Sequence, residues 1–102
     1  MLWGEILQNP NLKRVLEDSP DVLKKPLNEV EKDFINEAFA QYLTSWRIAN
    51  IGGLITLDEL AVDVKWFSSL PLPHVVWEET KRFKNIKFVE FVTRSLEAEN
   101  RV

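Results

Sequence analysis

Apolar residues recur every three or four positions along much of the chain, which is the period of an α-helix and not of a strand. The longest such pattern runs from Asn28 to Ile51. It contains two adjacent apolar rows at spacing four, which are Val30, Phe34, Ala38 and Tyr42, and Ile35, Phe39, Leu43 and Trp46. We therefore predict one long helix over residues 28–51, about 35 Å in length at about 1.5 Å per residue, on which the other segments pack.

The residues at both ends of this stretch favour helix termini. Asn28 can accept a hydrogen bond from the free amides of the first turn, and Glu31 stands where its side chain can reciprocate. At the other end, Gly52 and Gly53 reach the left-handed conformation without steric cost. The sequence thus predicts a capping box at the start and a glycine stop at the end.

Before the long helix, the pattern predicts a helical segment over residues 1–18 and a linker over residues 19–27. Asn9-Pro10 interrupts the helical segment, because Asn favours the N-cap and Pro the first helical position. Two arrangements stay open. Either a short turn precedes a new helix at Pro10, or one helix over residues 2–18 is kinked there.

After the glycines, three shorter helices are predicted over residues 56–69, 73–83 and 86–97, with Thr56 capping the first and Asn85 the last. The apolar and small residues expected on their inner sides are Leu57, Leu60, Ala61, Val64, Phe67, Val76, Trp77, Thr80, Phe83, Phe88, Val89, Phe91, Val92 and Leu96.

These segments together predict an all-α fold: a compact bundle of about four to six helices, in a single domain over residues 1–102, organised on the long helix. Hydrophobic residues make up 45% of the chain and charged residues 28%, as is typical of globular proteins. The chain contains no cysteine, which excludes disulfides, thiolate zinc sites and cysteine nucleophiles.

Charge and hydropathy limit the partners and the location. The formal net charge of −3 argues against nucleic acid as the default partner, since phosphate binding favours a basic surface. No stretch has the roughly 18 uninterrupted apolar residues that a membrane span requires. The expected location is cytoplasmic, with the soluble part of a membrane-anchored protein as the alternative.

Few residues point to chemistry. The only histidine, His74, has no partner pattern for catalysis or for a metal pair. Glu29, Asp33 and Glu37 share one helix face, which we interpret as a solvated acidic face. We therefore predict no enzymatic activity, no cofactor and no metal site.

A local basic cluster lies near the C-terminus and consists of Lys81, Arg82, Lys84 and Lys87. Trp77 and Phe83 are interleaved with it, as on single-strand nucleic-acid surfaces, but helical spacing is expected to point both inward. We interpret the cluster as a solvated basic face. The acidic first half of the long helix is its electrostatic complement, within one molecule or between two.

The four tryptophans are the most unusual feature of the composition, and each carries an N–H that needs a partner when buried. Trp46 and Trp77 fit the inner stripes. Trp66 falls beside its stripe and Trp3 lies near a terminus. We therefore expect Trp3 and Trp66 to be the candidates for an exposed patch that contacts a partner.

The arrangement of aromatics between helix breaks resembles a loose group of uncharacterised bacterial helical domains, over residues 9–96. The resemblance rests on Asn9-Pro10-x-Leu12, Phe39, Tyr42, Trp46-Arg47, Gly53-Leu54-Ile55, Trp77 and Phe88-x-x-Phe91-Val92. Members of that group often follow an N-terminal membrane segment, which this sequence lacks. The resemblance implies a helical fold and no particular activity.

Two functions remain as hypotheses. The first is a non-enzymatic protein-interaction or self-association module, because no catalytic constellation accompanies the tryptophan-rich helices. The second is a small-molecule sensor with a ligand site between helices. In that case Tyr42 and Trp46 would line the site and Arg47 would bind an anionic group.

Overall fold

The computed structural model describes residues 10–52 and 56–97. Over these ranges the chain forms four α-helices and three short 3-10 helices without a strand, so the predicted all-α fold is confirmed. The α-helices are α1 (Glu29–Asn50), α2 (Leu57–Ser69), α3 (Pro71–Thr80) and α4 (Ile86–Glu97). The 3-10 helices are Pro10–Leu16, Pro20–Lys24 and Lys81–Phe83, called first, second and third below.

The long helix α1 begins with the predicted capping box. The Asn28 side chain accepts from the amide of Glu31 at 2.8 Å, and Glu31 Oε1 accepts from the amide of Asn28 at 3.1 Å. At the other end Ile51 is the C-cap and Gly52 has a φ of +84°. Gly53 lies outside the described residues. Residues close in sequence therefore set both ends of α1, with a capping box at its start and a glycine after its end.

The inner face of α1 forms one wall of an aromatic core. Phe39 is its centre, with its ring centroid 4.9 Å from that of Trp77 on α3 and 5.4 Å from that of Phe67 on α2. Phe88 on α4 meets Trp77 edge-on at 6.0 Å and Trp46 on α1 at 5.8 Å. All four α-helices therefore share one core, and tilted or edge-on ring pairs are the favoured geometries there.

The first turn of α1 differs from the predicted pattern. Val30, placed in an inner row, is 55% exposed, whereas the neighbouring Glu31 is fully buried. The cause is Arg14 on the first 3-10 helix, whose guanidinium lies 3.4 Å from Glu31 Oε1. A buried carboxylate requires such a partner, so the pair with Arg14 fixes the rotation of this turn and leaves Val30 outside.

Arg14 also holds the predicted linker. Its Nη2 donates to the backbone carbonyls of Val22 at 3.1 Å and Lys25 at 2.7 Å. Residues 19–27 accordingly contain a further 3-10 helix, Pro20–Lys24. The predicted helical segment over residues 1–18 is a 3-10 helix from Pro10 to Leu16, and residues 1–9, with Trp3, lie outside the described part.

Helix α3 begins two residues before the predicted start at residue 73. Pro71 and Pro73 both fall in its first turn, where the amide that proline lacks would have no intrahelical partner. Leu70, with a ψ of 144°, is the single residue between α2 and α3. None of the helices within residues 10–52 and 56–97 is long and apolar enough to cross a membrane.

Candidate interaction surface

The helical register is lost between α3 and α4. Helix α3 ends at Thr80, and residues 81–83 form the third 3-10 helix instead of continuing the predicted helix to residue 83. A 3-10 helix has 3.0 residues per turn in place of 3.6, so its side chains depart from the inner stripe. Val76 and Trp77 are buried as predicted, but Phe83 is 77% exposed, and its predicted inward position is wrong.

A new register begins at Asn85. Its side-chain oxygen accepts from the amides of Lys87 at 2.9 Å and Phe88 at 3.2 Å, which confirms the predicted N-cap of α4. This cap directs Phe88 into the core and leaves Ile86 on the outside, 72% exposed. Val89, one turn further, is partly buried. The outer side of α4 therefore begins with the exposed Ile86, and Val89 lies between that side and the core.

Two open grooves flank these residues, and Ile86 and Val89 line both. The first, of about 430 Å³, is completed by Glu90, Thr93 and Arg94. The second, of about 330 Å³, is completed by Lys81, Arg82 and Lys84. We call this region the α4 surface, defined by Phe83, Ile86, Val89, Lys81, Arg82, Lys84, Lys87 and Arg94.

Aromatic rings position two cations of the α4 surface. Lys84 Nζ lies 5.8 Å from the ring centroid of Phe39 and 5.9 Å from that of Trp77, at the edge of the core. Partial burial lowers the pKa of Lys84. The Arg82 guanidinium lies 5.0 Å from the ring centroid of Phe83. Because both cations rest on ring faces, the positive charge stands beside apolar surface.

The predicted Trp66 contact lies on a different surface. Trp66 is 45% exposed, and Val62, one turn earlier on α2, is 72% exposed. Both line an open groove of about 460 Å³, here called the Trp66 groove, together with Asp18, Lys65, Ser69 and Leu70. The Trp66 ring also packs 6.3 Å from the buried ring of Phe67. A partner contact at Trp66 stays a prediction.

The predicted ligand site between helices gains no support. Tyr42 is buried. Its pKa lies well above the usual value, mainly because of this burial and further because of the nearby Asp63 carboxylate. Trp46 packs against Phe88, whereas Arg47 is exposed. Four of the better-formed cavities in the described part of the chain include none of these side chains. The site stays a prediction.

Other candidate groups lie apart. Glu29, Asp33 and Glu37 are all exposed along the outer side of α1. His74 is exposed, with Nδ1 3.3 Å from the carbonyl oxygen of Ser68. Within the described ranges no group of three or more His, Asp or Glu side chains could hold a metal ion.

The sequence contains a signal for the α4 surface that helical spacing alone misses. Asn85 can cap α4 only if the preceding helix has already ended, so residues just before it belong to a connector. Inner-stripe spacing does not apply to a connector, and Phe83 lies in it. Ile86 stands two residues before Phe88, about half a turn away from the inner stripe formed by Phe88 and Val92.

Comparison of the chain with protein-family models, with curated proteins and with solved structures found no match. The resemblance to bacterial helical domains therefore stays an expectation.

Proposed function

We propose that this chain is a protein-interaction module that binds an acidic amphipathic helix on the α4 surface. The observation that carries the proposal is the exposure of Phe83 at 77% and Ile86 at 72% among five basic side chains. Isolated exposed apolar residues are common on proteins, but here Ile86 lines two grooves, and Lys81, Arg82 and Lys84 line one of them.

The exposed side chains can supply binding free energy. Full burial of a Phe or Ile side chain contributes about 1.5–3 kcal/mol. Lys84 adds a cation that the core already holds in place at the rings of Phe39 and Trp77, so ordering it on binding loses little side-chain entropy. A small preformed apolar centre with charged flanks is the usual layout of an interface.

A helix is the partner element that fits the α4 surface best. Ile86, Val89 and Thr93 follow the outer side of α4 at helical spacing, with a groove on either side. A second helix can lay its side chains in such grooves at an axis separation of about 8–10 Å. Acidic residues beside its apolar stripe would meet Lys81, Arg82 and Lys84.

The charge pattern favours a protein partner over nucleic acid. Glu78 accepts from Lys81 at 2.9 Å, and Glu90 lines the first groove, so carboxylates interrupt the positive surface. The described part of the surface offers one exposed aromatic ring, Phe83, whereas single-strand binding stacks successive bases on several rings. Aliphatic Ile86 and Val89 at the centre suit an apolar helix face instead.

The proposal is tested by titrating the labelled protein with a designed helical peptide in NMR. The peptide has about 18 residues, Leu at helical spacing on one face and Glu on both flanks. The control peptide keeps every Leu and carries Lys in place of Glu. We expect amide shifts at residues 81–94 with the acidic peptide only.

Variants locate the contact. Phe83→Ser is expected to weaken binding of the acidic peptide about tenfold, whereas Val62→Ser, the same loss of an exposed apolar residue on α2, leaves it unchanged. Equal binding of both peptides, or binding only to DNA or to anionic vesicles offered in parallel, would contradict the proposal.

A further inference from the structure

We infer that the acidic helix bound by the α4 surface is α1 of a second copy of this chain. The inference rests on the proposed function and names its partner. The occupant is the outer side of α1, where Glu29, Asp33 and Glu37 follow one another at spacing four beside Val30. This face unites the two features that the α4 surface selects for, negative charge and an exposed aliphatic side chain.

The two surfaces match in length. Glu29 to Glu37 spans about 12 Å along the axis of α1, and Ile86 to Thr93 spans about 10 Å along α4. Val30, which is 55% exposed, lies near the start of the acidic row and can enter a groove lined by Ile86 and Val89. The apolar centre of one surface thus meets the apolar residue of the other.

The acidic row of α1 is exposed, so it is accessible to a second molecule. Arg14–Glu31, Lys24–Asp21 and Lys81–Glu78 are ion pairs within one molecule, and none of these three involves the acidic row of α1. The inner face of α1 is occupied by the core, so its acidic row is directed to solvent. Two copies related by a two-fold axis can make the contact twice.

The net charge of −3 per chain repels two copies at long range. Association therefore depends on the local pairing of opposite charges, which salt weakens over the Debye length of about 10 Å at 0.1 M. We expect self-association at about 1 mM protein in low salt and its loss as salt is raised.

A charge exchange tests which surfaces meet. One variant reverses the basic side with Arg82→Glu and Lys87→Glu, and the other reverses the acidic side with Asp33→Lys and Glu37→Lys. All four positions are exposed, so folding is expected to survive, and circular dichroism verifies it. Each variant alone is expected to self-associate at least about tenfold more weakly in sedimentation equilibrium.

Mixing the two variants restores both opposite-charge contacts, so a heterodimer is expected in the mixture at low salt. The matched control places the same change elsewhere, with Glu17→Lys and Asp58→Lys, and is expected not to rescue the basic-side variant.

A strict monomer at about 1 mM, self-association indifferent to both variants, or no rescue on mixing would each overturn the inference. The peptide titration above is independent of these outcomes. If the protein is monomeric yet binds the acidic peptide at residues 81–94, the proposed function stands and only its partner is wrong.

Discussion

The α4 surface and the Trp66 groove expose apolar residues to a similar degree, and they differ in cause and in charge. Val62 and Trp66 are exposed because α2 continues regularly and these positions face outward. Phe83 is exposed because regular helix ends at Thr80. Only the α4 surface surrounds its apolar residues with several cations. Exposure alone therefore does not distinguish the two surfaces, whereas the surrounding charge does.

The largest effect on the free energy of unfolding is expected at Trp77, which is buried, whereas Trp66 is exposed. Trp77 is buried under Lys84 and between Phe39 and Phe88, so Trp77→Ala is expected to lower the free energy of unfolding by about 3–5 kcal/mol. Chemical denaturation measures it. A loss below about 0.5 kcal/mol, the range of ordinary surface substitutions, would mean that the α4 surface does not rest on the core.

A smaller effect is expected at Arg14 on the first 3-10 helix. Arg14 holds the segment that includes Asp18 through three hydrogen bonds, to Glu31, Val22 and Lys25. Arg14→Ala is expected to lower the free energy of unfolding by about 1.5–3 kcal/mol, because it leaves Glu31 buried without its charged partner. Hydrogen exchange should rise near residues 18–25 and stay unchanged in α4. Equal exchange increases in both regions would contradict the separation of the two surfaces.

Lys84 is expected to matter for binding more than for stability. Burial lowers its pKa, so between that lowered pKa and about 10.5, its value in the unfolded chain, the folded state binds fewer protons. The contribution of Lys84 to the free energy of unfolding therefore rises with pH in that window. Lys84→Met should remove this rise relative to wild type and also weaken binding of the acidic peptide.

The check is the difference between the two unfolding free energies followed from pH 7 to about 10.5, since other groups cancel in it. A difference that stays constant with pH would show that the folded state does not desolvate the Lys84 ammonium.

The smallest effect is expected at Trp66. Its ring is 45% exposed, so Trp66→Ala should lower the free energy of unfolding by about 1 kcal/mol or less. It should leave binding of the acidic peptide unchanged, as measured by calorimetry. Loss of that binding would mean that the peptide contacts the Trp66 groove instead of the α4 surface.

Local signals predicted the frame of the fold. The start of α1 follows from Asn28 and Glu31, which lie three residues apart, and the start of α4 follows from Asn85. These hydrogen bonds join residues three apart in the sequence, so the sequence alone can predict them. The all-α class follows equally from helical spacing repeated through most of the chain.

The errors have non-local or irregular causes. Val30 is exposed because Glu31 pairs with Arg14, 17 residues earlier, which spacing within one helix cannot reveal. Phe83 is exposed because a 3-10 helix interrupts the register. Composition alone therefore predicts the basic half of the candidate site, whereas the apolar half follows only when the cap at Asn85 is used to end the preceding helix.

The proposed helix contact includes Phe83, the most exposed apolar side chain of the α4 surface. The chain has no cysteine, so a single Phe83→Cys substitution introduces a unique thiol. Its labelling rate by a maleimide is measured with and without saturating acidic peptide, with Val62→Cys as the control. We expect fast labelling at position 83 that the peptide slows, and an unchanged rate at position 62. Equal rates at position 83 with and without peptide, although the peptide binds, would contradict it.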